Sequence, residues 1–203
     1  VGIYLSGHPL DSFRFEMENF CNLQLSSLSS LEGKEGKEIR VGGIVSSVDH
    51  RMTKTGKPFG RMTVEDFTGK FEFTLWSEDY VKYKSFMTRG FNLFIEGTVA
   101  KKSWGDMAPE FRIRAVELLN ETGERRTKGL RLTVAPSALT IKMIGEIEKI
   151  CKDNNGKTPV YLQLRDQDEN ISIEMLSRKF RIRAAEESIR HLRKLREVGI
   201  SVM

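Results

Sequence analysis

The chain has 203 residues, 39% apolar and 30% charged, with 17 Gly and 5 Pro, a balance that excludes a disordered or fibrous protein and leaves room for two modest cores. Its net charge of +5 is too mild to name a partner, so only local clustering of cations can be diagnostic. Cys21 and Cys151 stand far apart without partners at metal-ligand spacing, which excludes a disulfide framework or zinc site, and no apolar run approaches the roughly 20 residues of a membrane helix.

The first residues, Val1 to Pro9, lack an initiator Met and a basic leader, so the chain is expected to be a piece of a longer one in a reducing cytoplasm. Pro9-Leu10-Asp11-Ser12 opens an amphipathic run with Phe13, Met17 and Phe20 at helical spacing. A Ser- and Gly-rich stretch, Ser26 to Gly36, follows as a linker whose Leu25, Leu28 and Leu31 pack on a neighbour. Residues 1–36 are thus a helical segment and linker.

From Ile39 the pattern turns to β. Strand one runs to Arg51, its glycines permitting the bend of a small barrel. Beyond the turn at Thr53 to Pro58, strand two covers Phe59 to Glu65. After Asp66-Phe67-Thr68-Gly69, strand three alternates Phe71, Phe73 and Leu75 with Glu72, Thr74 and Trp76. Ser77-Glu78-Asp79 opens a helix that Gly90 stops, and strands four (Phe91 to Lys101) and five (Glu110 to Leu119) complete a β-β-β-α-β-β order. One helix between strands three and four is the OB-fold signature, placed on residues 37–120. In residues 121–203 the segments starting at Leu130 and Phe180 echo each other as strand-then-helix, with strands at Pro159 to Leu164 and Ile171 to Leu176 between them and a last helix over Ala185 to Val198. This predicts β-α-β-β-β-α. The expected class is α+β: a five-stranded OB-fold β-barrel with a short N-terminal helical segment and a small C-terminal α/β domain.

Cations cluster where such barrels bind oligonucleotides. The loop between strands one and two carries Arg51, Lys54, Lys57 and Arg61 without an acid, and the loop after strand four carries Lys101 and Lys102 beside Trp104. Trp104, Trp76 and Phe59 are candidate stacking platforms, and Arg112 and Arg114 alternate outward on strand five. Trp76 packed on the helix, with Arg112 and Arg114 as ordinary solvated charges, is the alternative. No catalytic constellation, cofactor cradle or metal site is expected: His8, His50 and His191 are scattered, Asp66-Phe67-Thr68-Gly69 reads as a turn, and His8 braces the chain where Pro9 starts a helix. Glu124 to Met203 holds 17 Lys and Arg against 11 Asp and Glu, which suits either DNA or an acidic protein surface.

Ile3-Tyr4-Leu5-Ser6-Gly7-His8-Pro9-Leu10-Asp11, followed by Thr53-Lys54-Thr55-Gly56-Lys57 and Glu65-Asp66-Phe67-Thr68-Gly69, resembles the C-terminal region of bacterial DNA polymerase III alpha subunits. The resemblance covers essentially the whole chain. It implies a part of a nucleotidyltransferase that lies downstream of the polymerase site and does not itself catalyse. It further implies an OB-fold on single-stranded template DNA, a last domain that meets the clamp-loader tau subunit, and a sliding-clamp motif upstream of Ser6-Gly7-His8-Pro9. A purely structural module, or an RNA-binding anticodon-type OB domain, remains open.

Overall fold

Period-two alternation of buried and exposed residues builds one antiparallel sheet from β1 (Glu38–Met52), β2 (Pro58–Glu65), β3 (Lys70–Trp76), β4 (Asn92–Lys101) and β5 (Pro109–Leu118), in the order β3-β2-β1-β4-β5. The computed structural model describes residues 7–101, 109–166 and 168–203, and its contacts divide the chain into one unit ending at Thr122 and another running Gly123–Met203. The architecture is α+β, with an OB-fold barrel in the first unit.

The barrel curls because β1 is long and bent. A bulge between Val45 and Ser47 twists it, and Gly43 comes so close to β2 that a Cβ there would lie 2.6 Å from the Glu65 carbonyl oxygen. Val41, Val45, Met62, Val64, Phe73, Leu75, Leu93, Ile95 and Val99 point inward as a single buried core. A second bulge between Glu96 and Gly97 leaves Arg114 without a partner opposite, and the Tyr83 hydroxyl donates to the Arg114 carbonyl at 2.6 Å. Tyr83 ends α2 (Ser77–Tyr83), the helix between β3 and β4.

Among the described residues no hydrogen-bonded ladder joins β3 to β5. Side chains close that seam instead. The Phe73 and Phe111 rings meet at 6.0 Å, and Leu28 and Leu31 line the same gap. Leu25, Leu28 and Leu31 are each at most 6% exposed, so the stretch before β1 is part of the barrel's core as well as a connection. Upstream, α1 (Arg14–Phe20) follows a 3-10 turn at Pro9–Phe13, where His8 Nδ1 accepts from the Leu10 N–H and Asp11 accepts from the His8 N–H.

After α3 (Leu119–Arg126), the second unit contains β6 (Leu130–Val134), α4 (Ile141–Asp153), β7 (Thr158–Asp166), β8 (Ile171–Ile182), α5 (Glu186–Arg193) and β9 (Val198–Val202). Its sheet order is β8-β7-β6-β9, with β6 and β7 parallel and the outer pairs antiparallel. The order is therefore β-α-β-β-α-β, not the expected β-α-β-β-β-α. Two physical causes explain the difference. The segments at Ile171 and Phe180 are one strand carrying an irregularity, because Ser177 Oγ accepts from the Phe180 N–H and holds the extra residues. The last helix stops at Arg193, Glu197 turns the chain at φ 70°, and Val198, Ile200 and Val202 then alternate as a strand on β6.

Candidate nucleic-acid interface

Register across β1, β2 and β3 decides which side chains share the outer face of the barrel. Arg51 stands opposite Phe59, and Phe59 opposite Trp76, giving one row; Asp49, Arg61 and Thr74 make the next, and Ser47, Thr63 and Glu72 the third. The face thus grades from cationic and aromatic near the β1–β2 loop to neutral and acidic away from it. Trp76 faces outward, opposite in parity to Phe71 and Phe73, and is 53% exposed. It stacks on Phe59 at 4.6 Å with the planes 20° apart, which covers Phe59 and leaves the other indole face open.

The loop beside this shelf is held by its own hydrogen bonds. The Thr53 N–H donates to the Lys57 carbonyl at 2.8 Å, the Lys57 N–H to Thr53 Oγ1 at 3.0 Å, and Gly56 takes φ 76°, which a side chain would resist. Lys54 and Lys57 project from it exposed. Across the shelf, the Tyr80 hydroxyl and His50 Nδ1 are 3.1 Å apart, tying α2 to the end of β1.

The arginines differ from the lysines in a way that matters for binding. Arg51 Nε donates to Asp49 at 2.6 Å, Arg112 Nε to Glu110 at 2.7 Å, and Arg61 lies 3.9 Å from Glu72. Lys54, Lys57, Lys101 and Arg114 form no ion pair among the described residues. Arg112 opens onto the β3–β5 seam, a groove of about 600 Å³ that also receives Glu72, Trp76 and Asp79. Three carboxylates near one arginine make that groove a poor phosphate track. Lys102 and Trp104 lie outside the described residues.

One residue with a larger role than its turn motif suggested is Asp66. It is 8% exposed, and its carboxylate accepts from the Thr68 N–H at 2.7 Å, Thr68 Oγ1 at 2.7 Å, the Gly69 N–H at 3.0 Å and, across the chain, the Leu25 N–H at 2.8 Å. Asp-x-Thr-Gly is therefore a turn that also pins the leucine segment into the barrel. Phe67 at its tip meets His8 at 4.6 Å and the Arg14 guanidinium at 5.0 Å. Arg14 in turn holds the Asp11 carboxyl below the usual carboxylate range, with the His8 N–H contributing. Among the described residues no three His, Cys, Asp or Glu side chains converge to hold a metal ion, and no helix is long and apolar enough to cross a membrane.

Residues 39–119 match the family model described as OB-fold nucleic acid binding domain, in agreement with the barrel. Residues 130–203 match the DNA polymerase III alpha subunit, C-terminal domain, and the chain as a whole is similar to that region of bacterial alpha subunits. It is 24% identical over 195 residues to DNA polymerase III subunit alpha of Bacillus subtilis, covering 96% of this chain and 17% of that protein. The Vibrio cholerae subunit is 23% identical over 198 residues (96% and 17%), and the Escherichia coli K12 subunit 23% over 172 residues (83% and 14%). The chain therefore spans about a sixth of the length of these relatives. Among solved structures, RecG bound to a three-way DNA junction aligns with TM-score 0.32 at 18% identity over 47% of this chain and 12% of that one. The yeast mitochondrial single-stranded DNA binding protein Rim1 aligns with TM-score 0.31 at 10% identity over 41% of this chain and 95% of that one.

Proposed function

We propose that this chain is a non-catalytic piece of a replicative polymerase alpha subunit, whose barrel holds single-stranded template DNA and whose second unit docks the clamp-loader tau subunit. The observation that carries the first half is the row Arg51, Phe59, Trp76 beside the lysines of an ordered loop. An exposed indole backed by a second ring is a preformed stacking platform, and base stacking on such a ring contributes about 1–3 kcal/mol without regard to sequence. Lys54, Lys57 and Lys101 supply phosphate contacts without first breaking an ion pair among the described residues, while Arg51, Arg61 and Arg112 must exchange a carboxylate for a phosphate; Lys102 as a further cation and Trp104 as a further ring belong to the same proposal. Arg114 extends the track on the bulge of β5. Binding is therefore moderate and salt-sensitive.

The test is fluorescence anisotropy of a labelled dT oligonucleotide against the whole chain at low and moderate salt, with duplex DNA and tRNA as comparisons. Saturable binding that favours the single strand, weakens with salt and is lost when Lys54, Lys57, Lys101 and Lys102 become Ala supports the reading. A barrel that binds nothing at low salt is a scaffold, and preference for tRNA reassigns it to RNA.

A further inference from the structure

The second unit leaves part of one sheet face uncovered. Register places Leu132, Leu162 and Met175 in one row and Val134, Leu164 and Ile173 in the next, with Ile171 beyond them, all on the face against which α4 packs. Between α4 and β8 runs an open groove of about 360 Å³. Its floor is Leu132, Val160 and Leu162; Ile144 and Ile147 rise on the α4 side and Met175 on the β8 side.

The mouth of this groove is aliphatic and wet. Of its lining, Met175 on β8 and Ile144 on α4 are 42% and 41% exposed, and beyond it on the same sheet face Ile173 and Ile171 are 54% and 53% exposed. β8 is also an edge strand, and every residue from Ile171 to Leu176 is exposed. Edge strands are ordinarily guarded by charge, but the acid here, Glu174, points to the opposite face and is tied to Arg131. A contiguous patch of this kind marks a surface that is covered in use.

Charge decides what covers it. Arg178 and Lys179 line the β8 rim without an ion pair among the described residues, and on the α4 side the one acid of the lining, Glu148, is paired with Lys152 at 3.7 Å, which leaves the β8 cations in excess. From Glu124 onward the chain carries six more cations than acids, so a second copy would bring like charge to like. Nucleic acid is disfavoured by the floor, which offers no ring for a base. Phe180, the aromatic residue that lines the groove, already has the Lys179 and Lys152 ammonium groups at 5.1 Å and 5.6 Å from its ring centre. The exposed run of β8 is roughly 17 Å long, the length of about three helical turns.

We propose that the α4–β8 groove takes an amphipathic helix of a protein partner, aliphatic on the face that meets Ile144, Ile173 and Met175 and acidic along the flank that meets Arg178 and Lys179. The assignment rests on the second unit being the partner-docking domain. It gives that unit an address.

The test is calorimetric titration of the cognate tau subunit into the whole chain and into three variants, with circular dichroism to show each folded. Ile173→Glu, at an exposed position, weakens binding by about 30-fold, the loss typical of a central apolar anchor. The double variant Arg178→Glu, Lys179→Glu weakens it by about 10-fold and removes most of its salt dependence. Trp76→Ala leaves it unchanged. Groove variants that bind tau as well as the unaltered chain overturn the groove and leave tau docking standing; an unaltered chain that binds no tau overturns both. Displacement of tau from the unaltered chain, but not from Trp76→Ala, by a dT oligonucleotide gives the docking surface to the barrel and overturns the groove as well.

Discussion

The two units carry their recognition chemistry in opposite proportions. The first, through Thr122, holds 16 Lys and Arg against 17 Asp and Glu, yet Trp76 forms an exposed outer shelf within it; the second, from Gly123, holds 17 against 11 and offers aliphatic side chains instead. The overall charge of +5 is therefore a first unit at −1 and a second at +6, so all of the excess lies in the unit without the Trp76 shelf. Had charge alone located the nucleic-acid site, the second unit would have been chosen. The proposed site is in the barrel instead, because single-strand binding needs rings as well as cations, and Lys54 and Lys57 stand on the loop that joins Arg51's strand to Phe59's, next to the Phe59–Trp76 stack.

The largest effect that tests this separation is on stability. Asp66→Ala strands four hydrogen-bond donors, including the Leu25 N–H that fixes the leucine segment, and is expected to cost about 3 kcal/mol. Both tryptophans lie in the first unit and Cys151 in the second, so one urea titration can follow tryptophan emission for one and Cys151 alkylation for the other. The emission midpoint falls and the alkylation midpoint stays. A shift in both means that the units unfold together.

Cys151 sharpens the same comparison from the other side. Burial, aided by the Glu148 carboxylate, pushes its thiol up to about 11 from 9.0. The folded form thus favours the neutral thiol more than the unfolded form does. Its stabilising contribution is complete below pH 9 and is lost as pH rises through 11, at no more than about 1.4 kcal/mol per pH unit. Urea midpoints of the second unit, followed by circular dichroism at pH 8, 9.5 and 11, should fall more steeply for the natural chain than for Cys151→Ser. Equal slopes would mean that the thiol is ionised alike in both states.

How much of this was legible in the sequence follows from what each feature depends on. Strands β1 to β5 and the presence of a helix between the third and fourth were readable, because alternation at Phe71, Phe73 and Leu75 and the cap at Ser77-Glu78-Asp79 are local signals; the helix ends at Tyr83, with a 3-10 turn over Lys84–Phe86, and not at Gly90 as expected. The outward aim of Trp76 followed from the same parity. That Phe59 lies beneath it did not, since the two are cross-strand partners and only the register brings them together. The ion pair of Arg61 with Glu72 is hidden for the same reason, while Arg51 with Asp49 and Arg112 with Glu110 sit two apart on one strand face and could have been noticed. Asp66 reads as a turn whether or not its carboxylate is buried. β9 was masked by the basic amphipathic run before it, although Val198, Ile200 and Val202 carry the period-two signal.

Trp76→Ala is expected to weaken dT binding by about 10-fold, and Trp76→Phe by much less, with tau binding unchanged. Because truncation uncovers Phe59, the single variant retains some stacking, and Phe59→Ala combined with Trp76→Ala loses more than either alone. If the double variant binds dT like the natural chain, the shelf is not the platform.

The smallest effect concerns the paired arginines. In the free chain Asp49 and Glu72 compete with any phosphate for Arg51 and Arg61, and exposed pairs of this kind are worth about 0–1 kcal/mol. Asp49→Asn and Glu72→Gln free the guanidinium groups and remove a repelling charge, so each should tighten dT binding by about two- to five-fold at low salt. The gain should fade as salt rises. It should also disappear when the freed arginine is itself changed to Ala, because the carboxylate then has nothing to withhold. Tightening that survives loss of the arginine would show simple repulsion between the carboxylate and the strand, and Arg51 and Arg61 would leave the binding track.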